Sequence, residues 1–315
     1  MKAAVVHAAG APPRYEEFSA PTAKAGEVEV RVLAAGLHPL VRAIASGRHY
    51  SSSGTYPIVP GVDGVGRLSD GSAVYFSFPA APYGTFAERA VAPAQSVIPL
   101  PANLDPVHAA GLVNPVMSSW LALRQRAKLP PGGNVLILGA TGSAGRAAVQ
   151  VARALGAGRV VAAGRNQTAL NRLNADAALK VDAPDFAGAL EAELAANGVD
   201  VVLDYLWGPP MEAFLKVFYS LRKRFGARRV QLVNIGHSAG AHVPLDPSVL
   251  RSTGLELLGS GLGSVAPPQM AQGIAELLEA AARGAVAVEV QPVPLAEVES
   301  AWTAPDGGKR VVFVP

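Results

Sequence analysis

The residues best suited to chemistry are glycines that follow an apolar run. Val135–Leu138 has the composition of a buried strand, and Gly142 and Gly145 separate it from a helical stretch. In the pattern G-x-G-x-x-G only the first glycine is changed, to Ala140. The second glycine lets a pyrophosphate approach the backbone, the third lets the helix pack on the strand, and the helix N-terminus supplies N–H donors. We expect a dinucleotide site here; the alternative is a tight turn that binds nothing. The expected contacts are Gly142, Ser143, Ala144 and Gly145.

The end of the next strand indicates which dinucleotide is bound. After Val160–Ala163 the chain continues with Gly164, Arg165 and Asn166, where an acidic residue would hold the ribose hydroxyls of NAD. A glycine leaves room for a 2′-phosphate, and a guanidinium can pair with it through two hydrogen bonds. We therefore expect NADP(H), with these three residues in contact; the alternative is that Arg165 points into solvent.

Further candidate contacts follow later strands. Ligands of parallel sheets bind outside the carboxyl ends of the strands, so residues at those ends should flank the nicotinamide. The fifth and sixth strands of the predicted sheet supply Asn234, Gly236, His237 and Gly261. Asp204 and Tyr205 end the fourth strand, where both are candidates to contact the adenosine or the ribose. For Asp204 the alternative is that it fixes the local loop.

The elements needed to position these residues differ between the two halves of the chain. The first 100 residues contain short β segments punctuated by turn residues. These segments are Ala3–His7, Glu27–Ala34, Gly61–Leu68, Ala73–Phe78 and Phe86–Val91. A helix is predicted over Pro115–Lys128, in a proline-rich crossing region.

From residue 134 onwards strands alternate with helices. The predicted strands are Val135–Leu138, Val160–Ala163, Ala178–Asp182, Asp200–Tyr205, Arg229–Ile235 and Leu255–Gly259. The predicted helices are Ser143–Leu155, Thr168–Leu173, Phe186–Ala196 and Met211–Leu221. This alternation predicts an α/β fold with a doubly wound parallel sheet. A helix at Pro268–Arg283 and short strands at Val286–Pro292 and Arg310–Val314 follow, and we expect this tail to return to the first domain.

Composition excludes several classes of protein. The 315-residue chain has no cysteine, so it has no disulfide, no thiolate nucleophile and no cysteine-ligated zinc. Its 27 basic and 24 acidic residues are mostly scattered, which does not favour nucleic acid as a partner. Apolar stretches break well before the roughly 20 residues of a membrane span, and the N-terminus does not fit a signal peptide. We expect a cytoplasmic protein.

Several modest motifs occur in one order along nearly the whole chain. They are Ala35–Pro39, Ala45–Gly47, Pro57–Gly66, Tyr83–Glu88, Ser118–Leu123, the glycine turn, Gln150–Ala157, Val199–Asp204, Leu232–Gly236 and Gly308–Val312. In this order the chain resembles the zinc-independent quinone oxidoreductase branch of the medium-chain dehydrogenase/reductase superfamily. The resemblance implies a GroES-like β domain from residues 1–115 and 266–315, and a Rossmann NADP-binding domain at residues 116–265.

The resemblance also implies an activity. It is NADPH-dependent, metal-free hydride transfer to a quinone or an α,β-unsaturated carbonyl. Two alternatives remain open, an enoyl-thioester reductase and an NADPH-binding redox sensor with little turnover. The family commonly forms homodimers, and Leu255–Gly259 would be an apolar edge strand in a monomer, so we expect a homodimer joined there.

The catalytic candidates are His38, Tyr50 and Ser118. After hydride addition the negative oxygen must be stabilised or protonated, which calls for an imidazole or a hydroxyl. His38 takes the place of the family's usual asparagine in a turn that lines the cleft, and the alternative is a hydrogen-bonded turn histidine. Tyr50 lies near the acid tyrosine of enoyl-thioester reductases, and Ser118 matches a threonine near the nicotinamide. Asp63 is expected to be structural, bonded to turn amides or an arginine.

Overall fold

The computed structural model describes residues 1–49, 52, 54–261, 263–305 and 308–315. The chain forms two compact units, one from Met1–Asn114 with Ile274–Pro315 and the other from Pro115–Gly273. Within the described residues, no helix is long and apolar enough to cross a membrane.

The first unit is built mainly from strands. Before the second unit they are β1 (Lys2–Val5), β2 (Arg14–Glu17), β3 (Glu27–Gly36), β4 (Asp63–Arg67), β5 (Ala73–Ser77), β6 (Arg89–Pro93) and β7 (Val97–Pro99). Helix α1 (Pro39–Ala45) belongs to this unit, and helix α2 (Pro106–Leu121) begins in it and ends in the second unit. In β3 the buried Val30 and Val32 alternate with the exposed Glu29 and Arg31, as a strand with one covered face requires.

Helix α2 begins nine residues earlier than the sequence predicted. Its first residue is Pro106, and Asp105 Oδ1 accepts a hydrogen bond of 2.8 Å from the His108 N–H. Asp105-Pro106 is therefore the start signal, because an N-terminal carboxylate and a proline at the first helical position both favour a helix start. Pro115 lies inside the helix, which then widens into a π-helical turn at Ala122–Arg126.

The second unit confirms the predicted doubly wound sheet. Its strands are β8 (Asn134–Leu138), β9 (Arg159–Gly164), β10 (Ala177–Lys180), β11 (Val201–Asp204), β12 (Arg229–Asn234) and β13 (Gly254–Gly259). Its helices are α3 (Ser143–Ala154), α4 (Gln167–Leu170), α5 (Phe186–Asn197), α6 (Gly208–Ser220), α7 (Arg222–Phe225) and α8 (Pro247–Ser252). All six strands are parallel, in the order β10-β9-β8-β11-β12-β13, which is the Rossmann order.

The chain ends with α9 (Pro267–Ala282), β14 (Val290–Pro294), α10 (Val298–Ala301) and β15 (Arg310–Val314). In the first unit, β14, β15, β3, β4, β5 and β7 form one sheet with β6 paired to β3, and β1 and β2 form a separate pair. β14 begins four residues later than predicted and contains Pro292 and Pro294, which an edge strand tolerates. Phe86, Trp302 and Phe313 pack edge to face in the core of this unit.

Candidate nucleotide and reaction site

The turn after β8 has the geometry of a phosphate-binding loop. Gly139 takes φ +96°, and the N–H groups of Gly139 and Ala140 both donate to the Ala163 carbonyl, at 2.8 and 2.9 Å. The left-handed position is therefore Gly139, one residue before the first position of the glycine pattern. This explains why an alanine is accepted at Ala140.

Gly142 and Gly145 differ in what requires them to be glycine. A Cβ at Gly145 would clash with the Gly139 carbonyl and lie 2.7 Å from the Ala140 Cα, so packing of α3 on the turn excludes a side chain. A Cβ at Gly142 would meet only the Gly139 oxygen, at 3.5 Å. Space is therefore open above Gly142, directly before the N-terminus of the 12-residue helix α3. This open cradle fits a pyrophosphate, and Ser143 and Ala144 lie in the first turn of the helix beside it.

Two cations lie at the carboxyl edge next to this turn. Gly164 ends β9 against Thr141, whose Cγ2 would lie 2.6 Å from a Cβ at Gly164. Arg165 follows it and is exposed. Lys180 pairs with Gly164 across the sheet and lies 3.0 Å from Asp182 Oδ1. A hydrogen bond from Lys180 and the positive charge of Arg165 lower the pKa of Asp182.

Lys180 was not among the residues predicted from the sequence. It reaches this edge through the pairing of β10 with β9, and its ammonium group is paired with the Asp182 carboxylate there. Asn166 has a local role, since its side-chain oxygen accepts a 2.9 Å hydrogen bond from the Ala169 N–H and caps α4.

The ends of β11 and β12 are tied together by buried polar groups. Asp204 is fully buried and accepts hydrogen bonds from the N–H groups of Leu206 and Trp207, at 2.9 and 3.0 Å. Asn234 Nδ2 donates to Asp204 Oδ2 at 3.2 Å and to the Gly236 carbonyl at 2.9 Å. Burial raises the pKa of Asp204. Asp204 therefore fixes the local loop, the second of the two roles that the sequence left open.

The neighbouring candidates differ in exposure and packing. Gly236 lies so close to Tyr205, the residue that follows β11, that a Cβ added at Gly236 would lie 2.9 Å from the Tyr205 carbonyl oxygen. His237 and Gly261 are exposed in the loops after β12 and β13, and the Gly261 N–H donates to Ser264 Oγ at 2.9 Å.

Ser118 and Tyr205 form a pair of hydroxyl groups. Ser118 Oγ lies 3.1 Å from the Tyr205 hydroxyl and 3.2 Å from the Pro115 carbonyl, to which it donates. Tyr205 immediately follows β11, and a Cβ at Gly139 would lie 3.1 Å from the Tyr205 Cβ. Burial raises the pKa of Tyr205 to about 12, so its hydroxyl stays protonated at neutral pH. The sequence did not predict that these two residues are in contact.

His38 belongs to a buried cluster in the first unit. Its Nε2 lies 2.9 Å from Asp63 Oδ1, the Tyr75 hydroxyl donates to Asp63 Oδ2 at 2.9 Å, and Thr85 Oγ1 donates to the Asp63 carbonyl. The expectation that turn amides or an arginine bind the Asp63 side chain was wrong, because His38 and Tyr75 take its two carboxylate oxygens. Burial and the Asp63 charge raise the pKa of Tyr75.

His38 is only 1% exposed, and no described residue bonds its Nδ1. These contacts favour the hydrogen-bonded turn histidine over a proton donor. Tyr50 lies outside the described residues.

Comparison with known proteins places this arrangement in a family. No family model matches the chain. The probable NADPH-dependent quinone reductase tdiC of Emericella nidulans is 30% identical over the full length of both chains. A 2-haloacrylate reductase of a Burkholderia species is 32% identical over 65% of this chain and 66% of its own. The chain also matches mycobacterial polyketide synthases, but it spans only 9 to 14% of their length.

Among solved structures, the quinone oxidoreductase of Thermus thermophilus, described together with its NADPH complex, covers 100% of both chains with a TM-score of 0.80 and 31% identity. The similarity to this quinone oxidoreductase therefore covers both the GroES-like part and the Rossmann part of the chain. With its open glycine cradle and the adjacent cationic edge, this chain belongs to the quinone oxidoreductase branch of the medium-chain dehydrogenase/reductase superfamily and is an NADPH-dependent oxidoreductase.

Proposed function

We propose that this protein uses NADPH to reduce quinones or other electron-poor α,β-unsaturated carbonyls that are not thioesters, without a metal ion. The observation that carries the proposal is the Ser118–Tyr205 hydroxyl pair beside the carboxyl end of β11. The two hydroxyl oxygens are 3.1 Å apart. A carbonyl that accepts a hydride at carbon or at a conjugated position develops negative charge on oxygen, and a hydroxyl donor stabilises that charge.

The residues of the chain have distinct parts in this proposal. Bound NADPH supplies the hydride. The turn at Gly142–Gly145 and the cations Arg165 and Lys180 bind the phosphate groups and fix the position of the dinucleotide. Ser118 donates to the Pro115 carbonyl in this structure and turns its O–H to the reacting oxygen when substrate binds. The Tyr205 hydroxyl donates to the Ser118 oxygen and holds it in place.

Metal independence is supported by residue types. Catalytic zinc in this superfamily is held partly by a cysteine, and the chain has none. Asp63, an oxygen ligand by type, already accepts hydrogen bonds from Tyr75 and pairs with His38.

The substrate class is supported by the relatives. The quinone reductases act on quinones, as their names say, and the 2-haloacrylate reductase acts on an electron-poor alkene next to a carboxylate. A conjugated acceptor is common to both.

A panel of acceptors tests the proposal. The protein is dialysed against EDTA, and NADPH oxidation is followed with 1,4-benzoquinone, 9,10-phenanthrenequinone, an enone and crotonyl-CoA. We expect the protein to oxidise NADPH with a quinone or with the enone as acceptor, and we expect this activity to persist after EDTA treatment. Turnover with crotonyl-CoA alone identifies an enoyl-thioester reductase, and NADPH binding with no turnover identifies a sensor; either result refutes the proposal.

We also propose a homodimer joined through β13. Among the described residues, this strand is at one end of the six-stranded sheet and pairs with β12 alone, and its Leu257 is 44% exposed. A second copy that pairs along this strand would satisfy its free backbone groups and cover the leucine.

A further inference from the structure

A cavity of about 360 Å³ lies in the first unit, whereas the glycine turn belongs to the second. It is formed by three segments of the first unit: residues 10–11 after β1, residues 42–48 at α1, and residues 302–304 after α10. This volume is at the small end of the range for ligand pockets, roughly 300–1,000 Å³, so it suits a small molecule.

Two arginines line this cavity, and no acidic residue among the described ones does. Arg42 uses its Nε to donate to the Trp302 carbonyl at 3.1 Å, and Arg48 uses its Nε to donate to Ser46 Oγ at 3.3 Å. Neither arginine forms an ion pair with any described residue, and their terminal Nη groups have no acceptor in the described part of the chain. Four N–H bearing Nη nitrogens are therefore available to a ligand.

The walls of the cavity are held by other contacts. Ser46 Oγ donates to the Ala43 carbonyl at 3.0 Å, and the Tyr56 hydroxyl donates to the Ala45 carbonyl at 2.9 Å. Trp302 is 8% exposed, and its ring packs against Phe86 at a centroid distance of 6.4 Å. Each arginine is thus attached through its Nε to a fixed acceptor, which reduces the side-chain entropy lost on binding.

We propose that this cavity binds a small organic molecule that carries one carboxylate or phosphate group. Arginine matches the geometry of both oxyanions with two parallel hydrogen bonds. Two like charges on one small cavity repel each other, and an anion between them removes that repulsion. The remaining lining residues are the small Gly10, Ala11, Ala45 and Ala304, which leave room for a compact organic body, and Ser46, Trp302 and Thr303. The proposal does not depend on the proposed activity.

Fluorine NMR of 5-fluorotryptophan-labelled protein tests this site. The chain has three tryptophans, and only Trp302 lines the cavity, while Trp120 and Trp207 belong to the second unit. The probes are benzoate, phenyl phosphate and the neutral benzamide. We expect benzoate or phenyl phosphate to shift the Trp302 signal with a Kd on the order of 1 mM or tighter, and benzamide to leave it unchanged. The better of the two anions identifies the ligand group.

Substitutions distinguish anion binding in this cavity from nonspecific binding to positive charge elsewhere on the surface. We expect Arg42→Gln and Arg48→Gln each to weaken anion binding about tenfold, since each removes a charge-assisted contact. Arg67→Gln is the matched control, because Arg67 is exposed in the same unit and also donates to one backbone carbonyl, that of Gly71. It should bind like the wild type.

Arg42→Lys controls for a loss of structure, since lysine keeps the positive charge but cannot form the two parallel hydrogen bonds of a guanidinium group. Weaker anion binding with an unchanged midpoint of thermal unfolding supports the proposal. The proposal is overturned if neither anion shifts Trp302, if both glutamine variants bind like wild type, or if only Trp207 or Trp120 responds, which would indicate binding elsewhere.

Discussion

We propose that the choice between NADPH and NADH depends on Arg165. It is exposed at the end of β9, with Lys180 on the neighbouring strand as a second cation. A charge-assisted contact contributes about 1.5–3 kcal/mol, so Arg165→Ala should raise the KM for NADPH roughly 10- to 100-fold. The KM for NADH should change little, because NADH lacks the 2′-phosphate. Arg251→Ala, an exposed arginine in α8, is the control in the same steady-state assay.

Tyr205 acts through Ser118 if the hydroxyl pair works as proposed. Ser118→Ala should lower kcat about 100-fold, as loss of an oxyanion donor does. Tyr205→Phe should lower kcat only about 2- to 10-fold, because it removes one orienting hydrogen bond. The double variant should be no slower than Ser118→Ala alone. Additive losses in this double-mutant cycle, or effects on KM alone, would contradict a positioning role for Tyr205.

Residues whose positions depend on spacing along the chain could be predicted from the sequence. Residues that are brought together by strand pairing could not. The turn at Gly142 and Gly145 depends on six consecutive positions, so the pattern was sufficient to locate the turn; its contacts with NADPH stay a prediction. Lys180 reaches the same edge only because β10 pairs with β9 in a particular register. Likewise, Tyr75 reaches Asp63 from the neighbouring strand β5, and no local pattern reports that contact.

At the scale of elements, the turn between β8 and α3 gives two opposite predictions. Gly145→Ala should lower the free energy of unfolding by about 1–3 kcal/mol, because its Cβ has no room against the Gly139 carbonyl and Ala140 Cα. Gly142→Ala should leave it within about 0.5 kcal/mol, since the space is open. Gly142→Ala should nevertheless weaken NADPH binding, because the Cβ occupies the approach of the pyrophosphate. Urea unfolding measures the effect on stability, and NADPH titration measures the effect on binding. A Gly142→Ala protein that is stable and binds NADPH as tightly as the wild type would refute the claim that the pyrophosphate lies over Gly142.

The buried link between β11 and β12 predicts a pH dependence. Burial raises the pKa of Asp204, so the folded state keeps this proton to a higher pH than the unfolded chain does. The contribution of Asp204 to stability therefore falls as pH rises from about 4, the ordinary value, through the raised value. The unfolding free energy of the wild type minus that of Asp204→Asn should decrease between pH 4 and 7 in denaturant titrations. A constant difference would show that burial does not perturb this carboxyl.

Element boundaries show where sequence patterns were insufficient. The strands β8 and β9 were predicted within one residue of their observed ends, because both are uninterrupted apolar runs bounded by turn residues. The start of α2 was misplaced, since two prolines compete as helix starts and only Asp105 distinguishes Pro106 from Pro115. β14 was shifted because its position is set by pairing with β15 rather than by its own alternation.

At the scale of the whole molecule, β13 predicts the oligomeric state. Leu257→Arg should convert a dimer to a monomer, because a charge on the shared strand cannot be buried against its copy. Leu250→Arg is a matched control, since Leu250 is 42% exposed on α8 and Leu257 is 44% exposed. Light scattering coupled to size exclusion measures both variants and the wild type. A monomeric wild-type protein at micromolar concentration would refute the dimer.

The central claim is that the cationic edge beside the glycine cradle serves NADPH-driven reduction of a conjugated carbonyl. The most direct measurement compares initial rates of NADPH and NADH oxidation with 9,10-phenanthrenequinone, in EDTA, for the wild type and Arg165→Ala. We expect the wild type to prefer NADPH and Arg165→Ala to lose that preference while it retains its rate with NADH. Equal use of both cofactors by the wild type, or a preference unchanged by the substitution, would contradict the account.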